Sequence, residues 1–190
     1  MVKMNERLGM GLGVIAVSLL IAACGDKQSP PTGPEDYLTV AQSQSSSEEN
    51  KQLAAIRQAT AKYQNIEVAR AEGYVDDGFG CFGDPVLGGM GWHLIHEPLH
   101  ADPAIDPLRP ELLVYEPGNG GHMKLVAVEY EVFQAAWQNA GNVGLPSLLG
   151  HEFEALEIPG LDPLYGLHLW IWRDNPSGMF ADFNPKVACP

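Results

Sequence analysis

The spacing of apolar residues changes character near Gly73. Before Gly73, apolar positions recur every three or four residues, which is the period of one face of an α-helix. These positions are Leu53, Ile56, Thr60, Tyr63 and Ile66. Ser46 and Glu49 form a capping-box pattern ahead of them, and Gly73 is a natural helix terminator. The pattern predicts one long N-terminal helix whose apolar stripe packs on the rest of the domain.

After Gly73, short apolar runs rich in Val, Leu, Tyr and Trp alternate with glycines and prolines, which favours β-strands. The predicted strands are residues 89–97, 111–117, 122–133 and 164–173. "PGNGG" at 117–121 predicts a hairpin, and residues 133–141 predict a second helix. The predicted fold class is α+β: a mostly antiparallel sheet with the long N-terminal helix packed on it, long loops and one disulfide.

The first residues have the layout of an export signal. Lys3 and Arg7 precede an uncharged apolar run at residues 10–23, which is too short to span a bilayer as a permanent helix. The run ends in "IAAC" at 21–24, which resembles the lipobox of bacterial lipoproteins. The resemblance implies that residues 1–23 are removed and that Cys24 is lipidated. The alternatives are an ordinary secretory signal with an incidental cysteine and a short uncleaved anchor.

The same resemblance implies a location. Gly25 occupies the position after the cysteine, and an aspartate at that position would favour retention in an inner membrane. We therefore expect an outer-membrane protein facing the periplasm if the cell has two membranes, and otherwise a cell-surface protein. The membrane is contacted through the lipid anchor, and the sequence identifies no protein partner.

Composition divides the rest of the chain. Residues 24–47 carry the lipidated Cys24 and are rich in Pro, Ser, Gln and Gly, which predicts a flexible stalk. Residues 48–190 are long enough for a single globular α+β domain. The formal net charge of −13 repels phosphate backbones, so nucleic acid is not an expected partner.

With Cys24 assigned to lipid, two cysteines remain. In an oxidising compartment such a pair usually forms a disulfide, so Cys81 and Cys189 are predicted to be bonded. The bond would fasten the C-terminal segment and contribute about 4 to 5 kcal/mol on the chain-entropy model. The rival interpretation makes the two thiols metal ligands.

The candidate chemistry lies in histidines and one carboxylate inside apolar strands. Strand alternation places Gly91, His93 and Ile95 on one face and His96 on the other. Glu129 lies mid-strand on the face of Leu125, Ala127 and Phe133, and His168 on that of Trp170 and Trp172. A carboxylate among apolar neighbours is costly unless it is paired.

If the strands bring His93, Glu129 and His168 together, two imidazoles and a carboxylate make an open site for zinc, copper or iron. His151, beside Glu152, is a candidate fourth ligand from a loop. Without a metal, the same groups suit a general acid–base pair. Glu129 has alternative partners in Arg173 and Lys124, and each histidine alone suits a simple hydrogen bond to backbone.

The segments "MGWHLIHEPL", "RPELLVYEP", "LVAVEYEV" and "LHLWIWRDNPSGMFADFNPKVAC" together resemble a family of exported bacterial proteins without an established activity. The resemblance covers roughly residues 60–190 and implies a single domain. The leading hypothesis is a lipid-anchored envelope protein that binds a divalent metal or a small ligand. The alternatives are a metal-dependent hydrolase or oxygenase that uses the same residues, and a structural envelope protein without a site.

Overall fold

The structure is a computed structural model that describes the backbone of residues 34–189 and the side chains of residues 42 and 44–189. The predicted signal peptide and Cys24 lie outside these residues. The described part is α+β, with a curled six-stranded antiparallel sheet in the order β1-β2-β3-β4-β8-β7 and a separate two-stranded pair, β5-β6. Within residues 34–189, no helix has the length and apolarity needed to cross a membrane.

The elements follow one another along the chain with short turns between most of them. The helices are α1 (Pro34–Thr60), α2 (Ile66–Ala71), α3 (Glu97–His100) and α4 (Gln134–Asn139). The strands are β1 (Val75–Asp84), β2 (Gly88–Ile95), β3 (Leu112–Pro117), β4 (Met123–Phe133), β5 (Ser147–Leu148), β6 (His151–Glu152), β7 (Glu154–Leu156) and β8 (Leu164–Leu169). Short 3-10 turns occupy Ala61–Gln64 and Asn119–Gly121.

The single long helix predicted to pack on the sheet is not supported. The helical region is interrupted after Thr60 by a 3-10 turn, and Asn65 then starts α2 by accepting a hydrogen bond from the Glu67 backbone N–H. Ser46 lies inside α1 rather than at its start, and α1 begins within the predicted stalk. The residues that reach the core come from the end of α1 and from the segment after it: Leu53, Ile56, Tyr63 and Ala69.

The sheet predictions are largely confirmed. β3, β4 and β8 fall within the predicted strands, and β2 begins one residue before its predicted strand. The hairpin at 117–121 joins β3 to β4, and α4 falls within 133–141. β8 ends at Leu169, earlier than the predicted strand.

Four strands, however, were not predicted, because they are short or rich in glycine. β5 and β6 have two residues each and β7 has three. The glycine-rich run at 78–84, interpreted as a turn, forms part of the edge strand β1, where Gly78 and Gly80 adopt positive φ and the register with β2 shifts.

The two faces of the sheet have different roles. One face carries Leu94, Leu113, Tyr130 and Leu167 and packs on the helices to form the main core. The pairing of β3 with β4 has a register shift between Val114, which pairs with Ala127, and Tyr115, which pairs with Leu125. Leu125 therefore belongs to the main core, whereas Ala127 belongs to a smaller cluster on the opposite face. The prediction that Leu125 shares the face of Glu129 is therefore wrong, because the bulge interrupts the alternation.

The predicted disulfide is present. Cys81 on β1 is bonded to Cys189 across a sequence separation of 108 residues, which excludes the two sulfurs as free thiolate ligands. The C-terminal segment also pairs with the start of β2 through backbone hydrogen bonds between Gly89 and both Asn184 and Val187. A Cβ atom at Gly88 would lie 2.3 Å from the Asn184 carbonyl oxygen, so this approach requires glycine.

Replacing both Cys81 and Cys189 with serine is expected to lower the free energy of unfolding by about 2 to 5 kcal/mol, because the bond restricts the unfolded chain. Urea unfolding of the Cys24→Ser protein, with and without these two substitutions, measures the difference. Reductant should destabilise the parent protein by a similar amount and leave the variant unchanged. Two thiols that react with an alkylating reagent in the unreduced, denatured parent would contradict the bond.

Candidate metal centre

Three strands of the sheet bring the predicted ligands together. Glu129 on β4 lies directly opposite His168 on β8, so their side chains share a face. His93 on β2 is separated from β4 by β3, where its register partner is Val114. The curl of the sheet lets the His93 ring cross β3 toward the same carboxylate.

The three side chains form a compact buried group. His93, Glu129 and His168 are at most 5% exposed, and one ligand atom from each lies within 4.8 Å of the other two. Glu129 Oε2 is 3.3 Å from His93 Nε2 and 3.9 Å from His168 Nδ1. The two imidazole planes are nearly perpendicular to each other, at 89°.

Several polar atoms in this group lack hydrogen bonds. His93 Nε2 and both ring nitrogens of His168 are buried and have no hydrogen-bonding partner among the described residues. The 3.3 Å contact between His93 and Glu129 lacks hydrogen-bond geometry. Each such buried atom costs about 1 to 3 kcal/mol unless something satisfies it. A cation coordinated by the three groups would satisfy one nitrogen of each histidine.

Burial and the mutual charges set the protonation states. Burial lowers the pKa of His168 to about 4, so this imidazole is neutral at pH 7 and has a lone pair to donate. Burial also lowers the pKa of His93, but the Glu129 carboxylate outweighs it and the net change is upward. Burial raises the pKa of Glu129, and the two imidazoles more than offset this, so that its pKa lies below the usual value.

The remaining predicted ligand does not join the group. His151 on β6 is exposed, and its ring stacks on Phe180 at 3.7 Å between centroids. His168 stacks instead on Trp170, at 4.7 Å, which fixes the orientation of the buried ring. Trp172, predicted on the same face, packs with the main core and donates its Nε1–H to Thr60.

The histidines of the run at 93–100 point to different places. His93 enters the candidate centre, whereas His96 lies on the other face against Tyr74, as strand alternation predicts. His100 contacts Glu131, with 2.9 Å between Nε2 and Oε2. The partners considered for Glu129 are engaged elsewhere, because Arg173 and Lys124 both approach Glu116.

A cavity of about 480 Å³ opens on the face of the sheet that carries the centre. His93 and Glu129 line it, while His168 lies behind them. An ion held by the three groups is therefore accessible from the cavity on the side of His93 and Glu129. The volume falls within the range of small-molecule sites, about 300 to 1,000 Å³.

Sequence reasoning missed several polar neighbours. Asp77 on β1 places Oδ2 3.9 Å from His93 Nδ1, beyond hydrogen-bonding distance but beside the ring nitrogen that does not face Glu129. Glu131, two residues after Glu129 on β4, also lines the cavity, and its backbone N–H donates to the buried Glu111 side chain. Strand alternation could have identified Glu131, whereas Asp77 immediately precedes the run at 78–84 that is interpreted as a turn, and no predicted element contains it.

Comparison with known proteins gives no relatives from which to transfer a function: no protein-family model matches the chain, and neither the curated proteins nor the solved structures give a significant match. The functional argument therefore rests on the geometry of the site.

Substituting Glu111 with glutamine is expected to remove a pH dependence of stability. Burial raises the pKa of Glu111 from 4.5 to about 8, so the folded protein holds a proton that the unfolded chain releases. Its stabilising contribution is complete below pH 4.5 and is lost as the pH rises to about 8. Between pH 5 and pH 8, the parent should lose roughly 2 to 4 kcal/mol relative to Glu111→Gln.

Urea unfolding of both proteins at the two pH values measures this difference. The exposed Glu157 provides the matched control, since Glu157→Gln should retain the pH slope of the parent. Equal slopes in the parent and Glu111→Gln would contradict the assignment of a buried, protonated Glu111.

Proposed function

We propose that this protein binds one divalent transition-metal ion through His93, Glu129 and His168. The observation that carries the proposal is the convergence of three buried side chains in which His93 Nε2 and both ring nitrogens of His168 have no hydrogen-bonding partner among the described residues. Two imidazole nitrogens and one carboxylate form a ligand set used for zinc and for non-haem iron, and imidazole also suits copper.

A metal site accounts for this group better than an acid–base pair does. A general base needs a hydrogen-bonded route to the proton it moves and a pKa near the working pH. His168 has a pKa of about 4 and no hydrogen bond from either ring nitrogen within the described residues. Its neutral, oriented ring is suited to coordinating a cation.

Three protein ligands leave coordination positions for water or another molecule, as in catalytic zinc sites. The cavity beside His93 and Glu129 gives such a molecule access. This observation favours a second candidate function, a metal-dependent hydrolase or oxygenase. Binding remains the leading proposal because the described residues provide a ligand set, whereas no nucleophile is identified.

We also propose that the domain is exported and anchored by lipid at Cys24, on the outer membrane facing the periplasm or on the cell surface. The proposal is supported by the apolar run and "IAAC" at 21–24. The disulfide is compatible with it, because such bonds persist in oxidising compartments.

Replacing His168 with alanine is expected to weaken metal binding by more than the 10- to 100-fold that the loss of an outer-shell contact costs, because a direct ligand is removed. Protein purified without an affinity tag is first analysed for bound zinc, iron and copper by mass spectrometry. Affinity is then measured by titration of metal-free protein with each ion. We expect about one equivalent of a single metal in the parent protein.

The exposed His151 provides the matched control: His151→Ala should bind like the parent. Glu129→Gln retains the size of the side chain and should also weaken binding. Substoichiometric metal that is unaffected by His168→Ala would refute the metal site and leave the structural-protein alternative. Turnover that depends on the metal would favour the enzyme over the binding protein.

Replacing Cys24 with serine is expected to abolish labelling by radioactive palmitate and to release the domain from membranes, because the anchor would lose its attachment sulfur. Labelling and membrane fractionation of cells that produce each form measure both effects. Cys81→Ser serves as the control for an unrelated cysteine. Unchanged labelling and processing of Cys24→Ser would refute the anchor.

A further inference from the structure

We infer that the cavity beside the candidate metal centre binds an apolar organic cation, such as an ammonium group carried on a hydrocarbon body. The inference deepens the proposed function and rests on it for the ion at the floor of the cavity. It draws on three properties of the cavity wall: aromatic and aliphatic side chains, an excess of carboxylates, and an unsatisfied buried nitrogen.

The wall is largely apolar. Four phenylalanines line it, Phe79, Phe82, Phe133 and Phe183, together with aliphatic side chains from several elements. Phe79 and Phe82 are 48% and 45% exposed, so a large apolar surface of the wall faces solvent and is available for contact with a ligand. An occupant with a hydrocarbon body would remove part of this apolar surface from water.

The charged groups in the wall are nearly all acidic. The carboxylates are Asp76, Asp77, Glu97, Glu129, Glu131 and Asp182, and no lysine or arginine is among the described residues that line the cavity. The basic side chains present are two histidines, His93 and His100. A divalent ion coordinated by Glu129 would add positive charge at the floor, but five further carboxylates would remain.

The availability of these carboxylates differs. Glu131 is engaged with His100, and Asp77 accepts a hydrogen bond from the Phe79 backbone N–H. The half-buried Asp182 makes no side-chain hydrogen bond or ion pair with any described residue, although it lies in the cavity wall beside Phe183. Its carboxylate is therefore available to a ligand.

An unpartnered buried nitrogen, the one already proposed as a metal ligand, is a further indication that this part of the wall meets a group other than the protein. His93 lines the cavity, is more than nine-tenths buried, and has no hydrogen-bonding partner for Nε2 among the described residues. The acidic side chains alone would be compatible with a solvated rim. Together with this nitrogen and the aromatic wall, they indicate a binding site.

The charge and the rings select the same class of molecule. A cation is attracted both by carboxylates in a partly desolvated site and by the faces of aromatic rings. Phosphates and carboxylates are repelled by the same wall. A neutral apolar molecule gains the contact with the walls but not the electrostatic attraction, so it should bind more weakly.

The test uses three probes that carry the same aromatic ring with different charges. They are trimethyl(2-phenylethyl)ammonium, 2-phenylethanol and 3-phenylpropanoate. The quaternary ammonium group cannot coordinate a metal, so its binding reports on the wall alone. Isothermal titration calorimetry is performed at pH 7 and low salt on the full folded domain, in the zinc-loaded and the metal-free form.

In the metal-free form, where the oxygen-bearing probes have no zinc to coordinate, we expect the ammonium probe to bind about ten-fold more tightly than the alcohol, and the propanoate to bind most weakly. Asp182→Asn should weaken ammonium binding about three- to ten-fold and leave alcohol binding unchanged. Asp102→Asn is the matched control, because Asp102 is exposed, does not line the cavity, and as asparagine can still accept the Ala104 N–H. It should bind all probes like the parent.

Zinc stoichiometry is measured on the same samples, so the two proposals can fail separately. Ammonium binding no tighter than alcohol binding, in protein that holds its zinc, would overturn this inference and leave the metal site. A preference for the ammonium probe in protein that binds none of zinc, iron and copper would support the ligand class and overturn the metal proposal. Tightest binding of the propanoate to the metal-free protein would overturn the inference outright.

Discussion

The structure depends on a carboxylate held between two imidazoles in the middle of a sheet. Burying Glu129 in an apolar strand costs several kcal/mol unless opposite charge or hydrogen bonds compensate. The pairing of β4 with β8 sets His168 directly opposite it, and the curl of the sheet brings His93 across β3. Register and curvature together thus fix the geometry of the site, and a slip by one residue would place Glu129 on the helical side of the sheet.

The alternation of residues explains why so much of this site could be predicted from the sequence. His93, Glu129 and His168 each stand out as polar residues within apolar strands, and the strands themselves are long or rich in β-formers. Their convergence could not be derived, because it requires the strand order and the curl. The prediction of His151 as a fourth ligand rests only on its neighbour Glu152 in the sequence, and the structure places it on the exposed strand β6.

The predictions about the fold that were wrong failed for local physical reasons. The helical period continues past Thr60, but the side chain of this residue hydrogen-bonds to the Ile56 carbonyl and a 3-10 turn follows, so a continuous helix does not form. The glycines of β1 have the sequence pattern of a turn, and Gly78 and Gly80 do adopt positive φ. Pairing with β2 nevertheless makes this segment an edge strand. The bulge in β4 moves Leu125 to the opposite face, because one extra residue reverses the alternation.

The disulfide has a consequence for the order of assembly. Asp182 and Phe183, which form part of the cavity wall, belong to the segment that Cys189 fastens to β1. The bond joins residues separated by 108 positions, so it closes only after β2 to β8 have been synthesised and can fold between its ends. The sheet and its buried polar group can therefore form before this wall is secured, and oxidation completes the enclosure last.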